Sequence, residues 1–512
     1  MSARLSIPRF PIRLRQKAVP AVGLAAFLAA CTVGPDFKPP DAPQHKEFTV
    51  EPVDLETAAG KEAQQHLALG RKISGEWWHI LHSPQLDQVL ESAIVNNQTL
   101  AAAKATLAQA RDTVDQTAGG LWPQVQLTGG ATRMQPNPAA QGIPIAPSVF
   151  NLYTIGPSVS YALDVFGGIK RQVEQQEALA EYQDYQLDAA YLTLTGNVVT
   201  QAVAIASARA QMKAAGEIIA DDEKNLELVE RELAAQTATR SDVENARSQL
   251  TADRTLLPPL RQQLNVARHA LAVLVGKAPS EWSAPDFELT ELVLPQELPV
   301  SMPSALVHQR PDVLAAESQL HAASAAIGVA TAALYPNLTL SASFAQEALS
   351  PGSALMASSS IWSLGTNLTA PIFEGGALEA GRRAAVDAFE GKLATYRQTV
   401  LQSFGQVADV LQALETDASL LDQQRQAVDS AKTALDLARI SFGAGDVGIL
   451  DVLVAERLLA RARLGYVKAD AQRHLDTAQL FLAMGGGWED WRAKDGEAAI
   501  SAVATPEPAS PM

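Results

Sequence analysis

The 512-residue chain holds one cysteine, Cys31. An intrachain disulfide and any paired-cysteine metal centre are therefore excluded. No run of 18 or more apolar residues occurs, so any membrane span has to be built from strands rather than from an apolar helix. Aromatic residues make up only 5%, while alanine, leucine and glutamine dominate, a composition that favours long helices over compact mixed domains. Positive charge is scarce as well. The net charge of −16 argues against a basic surface for nucleic acid. Catalytic signatures are missing too, with no HExxH and no G-x-S-x-G elbow, and the eight histidines are scattered, so that His308 and His321 read as structural. Neither an enzyme, a cofactor nor a metal is expected. Gly443, Gly445 and Gly448 do spell a dinucleotide fingerprint, but a long helix precedes them where that fingerprint needs a strand. They read better as a turn that lets antiparallel helices reverse.

What is present begins at Cys31. Five basic residues and no acid (Arg4, Arg9, Arg13, Arg15, Lys17) precede an apolar run over residues 18–30 that ends in Leu28-Ala29-Ala30-Cys31. Thirteen residues are too few to cross a bilayer, and the pattern resembles a bacterial lipoprotein signal covering residues 1–30. That resemblance implies a diglyceride and an acyl chain on Cys31 as the first mature residue. By analogy with enteric sorting, Thr32 rather than aspartate after the cysteine directs the protein to the outer membrane. Loss of five positive charges leaves the mature chain at −21.

The chain is duplicated. A register of 213 aligns residues 100–123 with 313–336 without a gap, placing Leu107 on Leu320, Ala110 on Ala323 and Leu121-Trp122-Pro123 on Leu334-Tyr335-Pro336. A register of 207 sets Val165-Phe166 over Ile372-Phe373, and one of 209 sets Ser241-Asp242-Val243 over Leu450-Asp451-Val452. Five prolines in residues 276–303 mark an extended linker between the halves.

Each half contains two alternating segments, expected as strands at about 123–135, 150–166, 336–348 and 361–373. Leu338, Leu340, Ala342 and Phe344 alternate with Asn337, Thr339, Ser341 and Ser343, and Trp362, Leu364 and Leu368 with Ser363, Gly365 and Asn367. The polar faces carry hydroxyls and amides rather than Lys and Glu, as a wet lumen requires. Each segment is long enough to cross a bilayer as a tilted strand. A barrel must close, and four strands cannot close one, since small barrels use about eight. The barrel must therefore be shared between chains. The remainder is helix. Residues 376–442 contain no proline and would run on the order of 100 Å at about 1.5 Å per residue. Val243, Ala246, Leu250 and Leu257 follow 3-4-3-4 spacing, which packs helices as coiled-coil pairs. Pro258-Pro259 predicts a break.

On these residues the chain resembles an outer-membrane factor of tripartite efflux pumps, in the TolC-like lipoprotein branch that serves RND transporters. The matching stretches are Val33-Gly34-Pro35-Asp36-Phe37, Trp77-Trp78 with Pro84-Gln85-Leu86, Arg310-Pro311-Asp312-Val313, Ile327-Gly328-Val329-Ala330 and Gly485-Gly486-Gly487-Trp488. The resemblance implies a mainly α protein with a membrane β-barrel: a homotrimer with a shared twelve-stranded barrel and long helical hairpins forming a periplasmic tunnel. It implies a lipidated extended segment at 31–75, a first repeat at 76–275, an equatorial linker at 276–303, a second repeat at 304–488 and a tail at 489–512; three prolines and many small residues from Lys494 on predict disorder there. The expected function is conduction of small molecules to the exterior, with a periplasmic adaptor and an inner-membrane RND transporter as partners. By the same resemblance Asp436 contributes to a constricting acidic ring at the periplasmic gate, and the tips at Gln236 and Thr237 and at Gly443, Gly445 and Gly448 dock the adaptor. Gln236 stands where the duplicate has Gly445, which predicts a first tip with a less glycine-like turn. The rival reading is a membrane-anchored coiled-coil scaffold that does not conduct.

Overall fold

The computed structural model describes residues 32–492, apart from 42, 44–46, 52, 54–64, 72, 138–141, 143, 145 and 354–355. Cys31, the signal segment and the tail from Lys494 lie outside the described residues. The chain runs β1 (His66–Leu69), α1 (Pro84–Asn96), α2 (Gln98–Ala118), β2 (Gln124–Met134), β3 (Phe150–Leu163), α3 (Gly168–Ala234), α4 (Arg240–Arg254) and α5 (Leu257–Leu274). After the linker it continues as β4 (Glu297–Val300), α6 (Pro303–Leu306), α7 (Pro311–Ala332), β5 (Asn337–Ala348), β6 (Ser360–Thr369), α8 (Ala377–Ala444) and α9 (Ile449–Ala483). The order α2–β2–β3–α3–α4 recurs as α7–β5–β6–α8–α9. The duplication read from sequence is thus a duplication of elements.

Two compact units divide the contacts. The first comprises residues 1–38, 112–177 and 321–390 and holds a four-stranded antiparallel sheet ordered β2-β3-β5-β6. Alternation decides its faces, because successive side chains point to opposite sides. The register aligns Gln126, Ser158, Ser343 and Ser363 in one polar row, with the Ser343 and Ser363 hydroxyls 2.8 Å apart. The neighbouring row, Val125, Val159, Ala342 and Leu364, is apolar. Proline is rare inside a central strand because it cannot donate to the ladder, yet Pro157 sits in β3 and interrupts the pairing to β5 between Ile155 and Ser158. Gly156 beside it lets the strands close, since a Cβ there would lie 2.1 Å from the Phe344 carbonyl oxygen. β2 and β6 are the sheet edges, and every residue of both is exposed.

A strand-to-helix turn ends the sheet. Asp164 caps α3 by accepting from the amides of Ile169 (3.0 Å) and Lys170 (2.8 Å), where the helix dipole favours a carboxylate.

The second unit comprises residues 39–111, 178–320 and 391–512. Its core carries Trp77 stacked on Phe481 (5.4 Å) and Tyr191 stacked on Trp491 (4.1 Å). β1 and β4 pair in parallel, joining the amino-terminal segment to the inter-repeat linker. Arg310, buried, donates to Asp312, to Gln406 (2.7 Å) and to the Ala483 carbonyl (2.9 Å). Gly485, Gly486 and Gly487 all have positive φ, and the Trp488 indole donates to the Gln309 carbonyl at 2.7 Å. Pro258-Pro259 opens α5, so the first hairpin breaks after Arg254 while its counterpart α9 runs on unbroken. Within α3 one 18-residue window has a mean hydropathy of 1.3, but 56% of it is buried, as befits a core helix.

Candidate functional site

The sites expected for partner contact lie where α3 turns into α4 and α8 into α9. Helix ends leave carbonyls without intrahelical donors, and a left-handed residue just past the end folds the chain back to satisfy them. At the second tip Gly445 takes φ +79, its amide donates to the Phe442 carbonyl (3.0 Å), and the Asp446 amide donates to Ser441 (2.9 Å). At the first tip Gln236 takes φ +63, its amide donates to Leu233 (3.0 Å), and the Thr237 amide donates to Glu232 (2.9 Å). Every one of these four positions maps onto its counterpart at a register of 209. The expectation of a less glycine-like first turn is therefore corrected: the turn is the same, and glutamine adopts the left-handed conformation because the paired amide bonds require it. Gly443 lies in the last turn of α8, whereas Gly445 is the left-handed residue and Gly448 the N-cap of α9.

The restart is duplicated as well. Thr239 caps α4, accepting from the Asp242 amide while Asp242 accepts from the Thr239 amide at 2.8 Å. At the second tip Asp451 accepts from the Gly448 amide at 3.2 Å; glycine has no side chain to return the bond, so only half of the capping box forms there. A Thr-x-x-Asp spacing was a legible signal for the first box.

Below the tips the hairpins pack through Val229, Val243, Leu435, Ile449, Val452, Ala455 and Leu459. Asp436 follows buried Leu435 but is itself exposed, and among the described residues it makes no hydrogen bond or ion pair. It stands nine residues before Gly445, about 14 Å along the axis at 1.5 Å per residue. Leu437 and Ile440 beside it are 60% and 69% exposed, and Leu450, Val454 and Leu458 form a similar exposed stripe on α9.

One pair of bridges went unrecognised in the sequence. Glu230 and Arg247 join α3 to α4 at 3.1 Å, and Arg439 and Glu456 join α8 to α9 at 2.8 Å. These are the same two positions at a register of 209 with the charges exchanged. Glu456 also accepts from Asn225 of α3, and so ties both hairpins together. Nearby, Asp222 is buried with Oδ2 lacking a donor. Burial first, then the hydrogen bond and charge of Asp253, push it up to about 7. Asp222 therefore keeps its proton well above the usual carboxylate range.

The outer membrane efflux protein family matches residues 89–277 and 302–486, one stretch on each repeat. The chain belongs to that family. As a family member it is an outer-membrane efflux channel component, residing in the outer membrane. It is 32% identical over 453 residues to the pyoverdine export outer membrane protein OpmQ of Pseudomonas aeruginosa, covering 87% of this chain and 94% of that one. It is 26% identical over 471 residues to the cation efflux system protein CusC of Escherichia coli, covering 91% and 98%. Among solved structures, the outer-membrane channel OprN superposes with a TM-score of 0.80 at 27% identity, covering 90% of this chain and all of that one. The expected TolC-like fold, with four strands and paired long hairpins, is the fold of these channels. The non-conducting scaffold finds no counterpart among these relatives.

Proposed function

We propose that three copies of the chain close one barrel of twelve strands and one helical tunnel, and that this channel carries small molecules from a periplasmic adaptor and an inner-membrane RND transporter to the exterior. The observation that carries this reading is the open sheet. Among the described residues β2 and β6 present unpaired edges, and an open edge cannot persist in hydrocarbon, where no water replaces the missing partners. Exposed Val125, Leu127, Trp362, Leu364 and Leu368 supply the lipid-facing side. Subunit contacts account for the exposed apolar stripes on α8 and α9, and the number three follows from the family. Cys31, lipidated, adds an anchor in the same membrane.

In this trimer three Asp436 carboxylates converge at the periplasmic end and form the gate, favouring cations in a narrow aqueous passage. The tips around Gln236 and Thr237 and around Gly443, Gly445 and Gly448 dock the adaptor. OpmQ is named for pyoverdine export and CusC for cation efflux; the hydroxyl- and amide-lined polar face here suits polar solutes in general. The test is planar-bilayer recording of the trimer purified in mild detergent. Asp436→Ala is expected to raise single-channel conductance and weaken block by multivalent cations. A folded monomer without channels would overturn the assembly, and unchanged conductance and block would remove Asp436 from the gate.

A further inference from the structure

The sequence after Cys31 is not a loose tether. Val33 donates its amide to the Phe166 carbonyl at 3.1 Å, in the turn between β3 and α3. Thr32 lies against Gly167 of the same turn, where a Cβ would come within 2.5 Å of Thr32 Cγ2. Gly34, at φ +98, rests on Gly328 of α7 so closely that a Cβ would stand 2.4 Å from its Cα.

One side chain holds this segment. Arg171, in the first turn of α3, has a side chain only 6% exposed. Its Nε donates to the Val33 carbonyl (3.2 Å), and Nη2 donates to the Gly34 carbonyl (3.4 Å) and to Asp36 (2.7 Å). Nη1 donates to Glu174 at 2.7 Å, so a planar fork with five donors is nearly fully used. Gly328 leaves room for its stem, since a Cβ there would be 2.7 Å from Arg171 Cγ. Glu174 also pairs with His321 at 3.1 Å, and His321 stacks on Phe37 with ring centroids 4.5 Å apart. His321, expected to be structural, thus closes the far end of the same network.

We propose that Arg171 is the clamp of an intramolecular latch that seats residues 32–37 on the β3–α3 turn and thereby fixes where the amino terminus meets the membrane. The position of the lipid rests on the lipidation of Cys31 proposed above. Thr32, the residue that follows Cys31 in the sequence, lies against Gly167 in the turn after β3, so the latch places the described amino-terminal end beside a membrane strand. A lipid fixed there raises the effective concentration of the strands at the bilayer surface. Charge alone does not suffice for the clamp, because two of its contacts are backbone carbonyls that a lysine cannot fork.

Hydrogen exchange of the peptide spanning residues 32–38, in the full chain purified in mild detergent, tests the latch. Exchange is expected to be slow in the wild type and at least about tenfold faster in Arg171→Ala, with Arg171→Lys intermediate. Gly34→Ala leaves the Arg171 side chain itself unaltered but sets a methyl against Gly328, and is expected to give the same acceleration. Unchanged exchange at the hairpin tips shows that these variants remain folded. Wild-type rates at residues 32–38 in both Arg171→Ala and Gly34→Ala would overturn the latch. Mass analysis of the amino-terminal peptide separates the two readings: an unacylated wild-type Cys31 overturns the lipid's placement, whereas the exchange rates report the clamp whether or not lipid is attached.

Discussion

Exchanging the left-handed residues of the two tips tests whether the shared turn, rather than its side chains, sets tip stability. Gly445 sits at φ +79 with nothing within 4 Å of a would-be Cβ, and Gln236 occupies the matching site at φ +63. Sterics beyond the backbone therefore do not enter at Gly445. A left-handed L-residue costs roughly 1–2 kcal/mol relative to glycine, while glycine loses about 0.5–1 kcal/mol more conformational entropy on ordering. The difference leaves Gly445→Ala destabilising by about 0.5–1 kcal/mol and Gln236→Gly stabilising by a similar amount. At about 1.4 kcal/mol per tenfold, that is roughly a two- to fivefold change in local opening.

The readout is amide hydrogen exchange at Asp446 and Thr237, the two amides that close the turns onto Ser441 and Glu232. Gly445→Ala is expected to accelerate exchange at Asp446 and to leave Thr237 unaffected; Gln236→Gly is expected to slow exchange at Thr237. Slower exchange at Asp446 in Gly445→Ala, or faster exchange at Thr237 in Gln236→Gly, would refute a turn governed by backbone conformation.

Other expectations follow from buried charge and from the anchor. Arg439→Glu sets two carboxylates against each other at Glu456, whose side chain is 10% exposed, and is expected to cost about 1–2 kcal/mol in denaturant unfolding; adding Glu456→Arg, the arrangement of Glu230 and Arg247, recovers part of it, and no recovery would deny the bridge. Burial first, then the hydrogen bond and charge of Asp476, push Asp417 up to about 7, with Arg473 opposing. The folded state therefore holds this proton from about 4 to about 7 while the unfolded chain does not, so stability falls as pH rises through that window. Asp417→Asn is expected to flatten this fall in a pH series of thermal midpoints, and an unaltered slope would count against it. Cys31→Ser is expected to reduce acylation and outer-membrane delivery more than the conductance of inserted channels, because the barrel already crosses the membrane; loss of conductance in correctly inserted protein would reverse that ranking.

Periodicity made most of the architecture legible. Two-residue alternation placed strands where β2, β3, β5 and β6 lie, and the proline-free stretch 376–442 anticipated α8 at Ala377–Ala444. Ends were less visible: β3 stops at Leu163, short of the expected 166, because Asp164 is committed to capping α3, and β6 stops at Thr369, short of the expected 373, two residues before Pro371. Pro157 inside a central strand ran against propensity, and the pairing of β3 to β5 is interrupted there, between Ile155 and Ser158. At Gln236 residue preference alone predicts a less glycine-like turn, whereas the amide bonds onto Leu233 and Glu232 hold it at positive φ. The bridges and the Asp222–Asp253 and Asp417–Asp476 pairs were invisible because they join residues whose proximity is set by helix register, which no local pattern encodes. Asp436 is singled out by family resemblance alone, and the single chain leaves it exposed.

The duplication has conserved some layers of the tips and released others. Left-handed residue, carbonyl closure and acidic N3 recur at a register of 209, whereas Thr239 becomes Gly448, Arg240 becomes Ile449, Thr237 becomes Asp446 and the bridging charges change places. Backbone shape is therefore common to both tips and surface charge is not. The first tip carries the cation Arg240 and the second the anion Asp446, so a partner that reads the turn engages both, while one that reads charge distinguishes them. In the proposed trimer, an adaptor docking at the tips would meet six of them, of two kinds. Equal engagement of all six requires recognition of the shared backbone, and the two left-handed turns are the part of the tip where that recognition is geometrically possible.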